Sequence, residues 1–248
     1  MTDSVSKNLK VAEEVSKEFH SSLPPPKHLL CKSHLVEGFD RSNLSVLADL
    51  ENKLEFRQKL QSLNPAIKPF LRGKASVSEC GIMSILSLIS HDKSGHSTNQ
   101  ADFFDFILQR ENQIKHIVLY FERRFTKLGY SAASIVQCLP YLRMLINETH
   151  LSNQHVEVVR LLLDSEFLIT ELKVLAYFTH KVTLPFLYFV EMNAQESLLD
   201  MLPCLYRDLK NGSMDTLQQY IVHYPHIEVS TPSSSLSNKI LQQMILFE

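Results

Sequence analysis

The chain has 248 residues, 25 Lys+Arg against 27 Asp+Glu, 44% apolar residues, four Cys and six Gly. Near-neutral charge excludes a global field that gathers nucleic acid or anionic membrane. Apolar content near the usual ~45–50% supports a real core rather than a disordered chain. No two glycines form a G-x-G, which excludes Rossmann, Walker A and kinase-type phosphate loops.

Val5, Leu9, Ala12, Val15 and Phe19 recur at three- and four-residue steps, so residues 1–23 read as an amphipathic helix. Pro24, Pro25 and Pro26 make residues 24–27 a stiff spacer before a helical domain over 28–223. Met1 to Lys7 lacks the apolar stretch of a secretory signal. Cys31, Cys80, Cys138 and Cys204 are scattered rather than arranged as a disulfide framework. An intracellular protein, in cytoplasm or nucleus, with reduced thiols is expected. The longest apolar run, Val182 to Val190, is about half a membrane span, so no membrane partner is expected.

A helix is predicted from about Asn43 through Leu44, Leu47, Leu50, Leu54 and Leu60, stopped by Asn64-Pro65. Ser76-Val77-Ser78-Glu79 is a capping box opening a helix through Ile82, Ile85, Leu86 and Ile89. His91 to His96 reads as a surface loop, followed by a helix from Ser97-Thr98 to about Lys127 with Gly129 as its terminating residue. Another helix follows from Ser131, kinked or broken at Pro140.

From Ser152 to about Thr179 the sequence is apolar nearly all round, with a narrow charged wedge of Glu157, Arg160, Asp164 and Glu171. Such a helix must be surrounded by other elements, so it is the expected centre of the fold. Pro185 separates a short apolar segment from a helix carrying Leu198, Leu202, Leu205, Tyr206 and Leu209, closed by Asn211-Gly212. Residues 224–248 form an irregular tail, extended near Ile227–Val229, with a terminal amphipathic helix over Leu236–Phe247. Strand alternation is almost absent. The predicted fold is all-α: an irregular multi-helix bundle around a buried central helix.

Chemistry-bearing residues are sparse. Cys31 and His34 form a Cys-x2-His that can give zinc two of its four ligands. No second pair with matching spacing exists, so a buried Cys beside a surface His is the preferred reading and no cofactor is expected. Nothing singles out one of four Cys and eleven His as a catalytic pair. Asp102 and Asp105 share a helix face, where the macrodipole of a first turn accounts for them. The Glu157–Glu171 wedge reads as a salt-bridged or solvated stripe, with a groove-lining role as the alternative.

The basic cluster Lys115, His116, Arg123, Arg124 and Lys127 is interleaved with Tyr120, Phe121, Phe125 and Tyr130, the pattern that single-strand or phosphate binding needs. Charge polarity is mild: nine Lys+Arg and six acids from Pro65 to Tyr130, six and ten from Arg143 to Asp215. At helical spacing the aromatics also fit a core.

The segments Cys31–Glu37, Phe70–Lys74, Ser90–Gly95, Arg123–Gly129 and Asp164–Leu172 carry a resemblance to multicopy, transposon-derived animal proteins. More distantly, the chain resembles hAT-type transposases, whose all-helical insertion opens with a Cys-x2-His like Cys31 and His34. Glu122-Arg123-Arg124-Phe125-Thr126 through Gly129 is similar to their Glu-Arg-x-Phe-Ser-x-x-Gly segment. That resemblance makes Glu122 the catalytic carboxylate. The two further carboxylates come from strands before the insertion, and the roughly thirty residues before Cys31 read as helix. The resemblance therefore implies an inserted helical region without its nuclease core, and the abrupt Ile245-Leu246-Phe247 end fits a fragment. The expected function is a non-catalytic helical interaction module, with a protein partner or self-association. A nucleic-acid-associated protein using the Lys115–Lys127 face is the alternative, and a metal-dependent nuclease fragment the third reading.

Overall fold

The computed structural model describes residues 32–71, 75–89, 107, 127–148, 154–192, 195–211, 213, 215–218, 220, 229, 231 and 233–245. Those residues are all-α: the ordered elements among them are helices and helical turns, with no strand. The N-terminal helix and proline spacer, the His91–His96 loop and Ile227–Glu228 lie outside them. So does most of the helix expected from Ser97 to about Lys127: Ile107 is described, helical and fully buried, and Lys127 opens the next helix.

Helix α1 (Lys32–Lys53) starts well before Asn43 and stops short of Leu60. Its leucine stripe buries Leu47 and Leu50. The stop comes at Glu55, whose left-handed backbone (φ 52°) turns the chain into α2 (Phe56–Leu63). Asn64 ends α2 as predicted: its side chain accepts a hydrogen bond from the Ala66 N–H and Pro65 opens a short 3-10 turn. Helix α3 (Val77–Ile89) begins at the predicted cap, with the Ser76 hydroxyl accepting the Glu79 N–H at 3.1 Å.

Helix α4 (Lys127–Glu148) corrects two expectations. Gly129 lies inside the helix, where a Cβ would overlap the Thr179 side chain, so it permits close helix approach instead of ending a helix. Of the kink or break expected at Pro140, the break does not occur: the residue lies inside α4 on the exposed side, where water can serve the carbonyl whose donor it removes.

The expected central helix is two helices, α5 (Gln154–Asp164) and α6 (Glu166–Phe178). Ser165 divides them as an extended N-cap whose hydroxyl accepts the Leu168 N–H at 3.3 Å. The core position falls to α6, which packs against α3, α4, α5 and the C-terminal helix α10 (Ser235–Ile245). Leu168, Leu172, Val174, Leu175 and Phe178 are all buried there.

Pro185 is not a separator either. A π-helical turn at Thr179–Thr183 carries α6 into α7 (Leu184–Met192), with the Leu184 N–H bonding five residues back to the Thr179 carbonyl. The wider turn accommodates a proline ring that would collide with the fourth preceding carbonyl in a regular helix. Helix α8 (Gln195–Lys210) ends at Asn211 as predicted, and α9 (Asp215–Gln218) follows. The terminal amphipathic segment is part of the core: Ile240 and Met244 are buried as α10 packs on α6 and α1.

Candidate functional site

Helices α1, α2, α3 and α6 meet at one junction that has both a solvent-facing groove and a buried acidic centre. The Arg57 guanidinium on α2 donates to the Leu71 carbonyl at 2.8 Å and also to the Ala75 carbonyl. It thereby ties Leu71 and the Ala75-Ser76 segment before α3 to α2. Between this anchored segment and α1 lies a groove of about 570 Å³. Arg41, Ser45, Asp49 and Asn52 line it from α1, and Arg57, Ser76 and Glu79 from the other side. Spacings of three, four and eight residues put the α1 positions on one helix face. Arg41, Ser45, Asp49 and Asn52 are exposed. Among the described lining residues two cations and two carboxylates balance, so this lining has mixed charge rather than a cationic surface.

Beneath it, Glu51 on the inner face of α1 is 1% exposed. Both its carboxylate oxygens accept the Val77 N–H, at 2.8 and 2.7 Å, and Oε1 also accepts the Ser78 N–H at 3.3 Å. The positive end of α3, a common anion site, is thus occupied from inside the protein. Ser78 then donates its hydroxyl to Glu171 Oε2 on α6 at 2.6 Å. Glu171 is 0% exposed, and its Oε1 meets no N–H or hydroxyl donor among the described residues. Ser78 thus joins the two carboxyl groups, its N–H on Glu51 and its hydroxyl on Glu171.

Burial pushes Glu51 up to about 6, opposed by the two backbone N–H groups. Burial, then the neighbouring Glu51 charge, holds Glu171 well above the usual carboxylate range. Sequence reasoning missed this centre. The available signal was position: Glu51 follows Leu47 by four and precedes Leu54 by three, inside the leucine stripe.

The charged wedge is divided by the break at Ser165. Glu157 and Arg160 form the expected surface ion pair, with side chains 53% and 36% exposed. Arg160 also donates to the Ile146 carbonyl at 3.2 Å, and Arg143 to the Leu163 carbonyl at 2.6 Å, so each arginine caps the end of a neighbouring helix. Asp164 is exposed, whereas Glu171 belongs to the core.

Cys31, Lys115, His116, Glu122, Arg123 and Arg124 lie outside the described residues, as do Asp102 and Asp105. His34 falls in the first turn of α1 and Lys127 is the first residue of α4. Among the described residues no three His, Cys, Asp or Glu side chains gather to hold a metal ion. Burial pushes the Cys80 thiol up to about 11, the opposite of nucleophile activation. No described helix is long and apolar enough to cross a membrane. No protein family, curated protein or solved structure is found to match the chain.

Proposed function

We propose that this chain is a non-catalytic helical interaction module that self-associates through the exposed face of α1. One observation carries the reading: Arg41 and Asp49 lie eight residues apart on that face, with Ser45 midway. Eight residues span about 12 Å of helix. A two-fold axis through Ser45 sets each Arg41 opposite the partner copy's Asp49 twice over, with a small side chain at the crossing. Such self-complementarity is what a symmetric dimer requires. The balanced charge of the groove also favours a polypeptide over a polyanion, which needs a surplus of cations. Descent from a transposon-encoded protein rests on the segments quoted in the sequence analysis.

Sedimentation equilibrium of the whole chain tests this by charge exchange. R41D and D49R each place like charges together at both ends of the contact and should weaken the dimer by about tenfold. The double variant R41D/D49R restores both pairs and should recover most of the affinity. A wild-type chain that stays monomeric at all concentrations, or single variants that dimerise unchanged, would overturn the reading.

A further inference from the structure

We propose that Glu51 and Glu171 share a single proton, which latches α1, the first turn of α3 and α6 together and is released as pH rises. The geometry leaves a donor missing. Glu51 spends its oxygens on the Val77 and Ser78 N–H groups, and Ser78 Oγ–H serves Glu171 Oε2. Glu171 Oε1, in a fully buried residue, has no such donor among the described residues, and Ser78 holds its carboxyl group beside that of Glu51. Two ionised carboxylates so placed repel with no water to screen them, whereas one proton on Glu171 supplies the absent hydrogen bond to Glu51. Glu51 keeps the negative charge because two backbone N–H groups and the positive end of α3 stabilise it.

Among the described residues few other charges act on the pair. Arg57 on α2 is the cation that acts on Glu51, and Cys80 and Glu79 follow on α3. On α6 itself Lys173 is exposed, as are Glu157 and Asp164 on α5 and Lys239 on α10. From α4 the buried polar groups are hydroxyls, Ser131 and Ser134. In the π-turn, burial and Lys181 lower the His180 imidazole, so its contribution to stability is lost on the acid side.

The sign follows from proton counts. Above about pH 6 an unfolded chain has both glutamates ionised, while the folded chain retains one proton. Folding is therefore favoured at low pH, and stability falls as pH rises until the folded pair loses its proton. Cys80 adds a loss of the same sign only near thiol pH, so the informative window runs from about pH 7 to about pH 8.5.

Urea unfolding across this window is the test, with E171Q as the variant. Its amide nitrogen replaces the proton as a permanent donor to Glu51, and its carbonyl still accepts from Ser78. The wild-type unfolding constant should rise by about tenfold per pH unit relative to that of E171Q, which shares every other titration. Parallel profiles would overturn the proposal. The infrared spectrum of the wild-type protein at neutral pH is a second, independent reading that needs no folded variant. A protonated-carboxyl stretch supports the shared proton, and its absence overturns it.

Discussion

Glu157 and Glu171 stand two heptads apart in one stretch that reads as a single charged stripe, and they have opposite fates. Glu157 is a half-exposed partner of Arg160, screened by water. Glu171 sits at 0% exposure, joined through Ser78 to the carboxyl group of Glu51. The difference arises at Ser165, which ends one helix and caps the next, so a common wheel no longer relates the two positions. Burial then changes the chemistry: the outer acid is an ordinary anion, while the inner one favours its neutral form.

The contrast can be broken by mutation. Glu51→Ala strands the Val77 and Ser78 N–H groups in the core and should cost about 3 kcal/mol in urea unfolding at neutral pH. Ser78→Ala removes the donor to Glu171 Oε2, with an expected loss of about 1.5 kcal/mol. Ser165→Ala removes the cap at the division between the two helices and should cost about 1 kcal/mol, read as a lower Tm. Glu157→Ala should cost less than about 0.5 kcal/mol, because the exposed pair is weak and Arg160 keeps its carbonyl partner. Equal losses for Glu51→Ala and Glu157→Ala would abolish the distinction between the two regions.

Much of the architecture was legible from local rules. The Ser76–Glu79 cap, the Asn64-Pro65 stop, the Asn211 end and the terminal amphipathic helix follow from side chains that satisfy nearby backbone groups or repeat on one face. What escaped depends on neighbours distant in sequence. Gly129 resembles a helix end until Thr179 is known to press against it. Ser165 was readable, since a serine before Glu166 is a helix-start signal, but continuous apolar character on both sides obscured it. The acidic centre needs α1, α3 and α6 together, and no spacing within one helix reveals that its two carboxyl groups meet. The groove escaped for the same reason, since Arg57 closes it by reaching fourteen and eighteen residues along the chain.

The π-turn at Thr179–Thr183 has a consequence for how the rod from Glu166 to Met192 tolerates length changes. It holds one residue more than a regular helix would use for the same advance, so phase must be reset by one position from Leu184 onward. Removing Lys181 would convert the turn to ordinary helix and leave Phe186 and Val190 pointing inward. Removing a residue within α6 would instead swing every later side chain by about 100°. Deletion sensitivity along this rod should therefore dip at the widened turn.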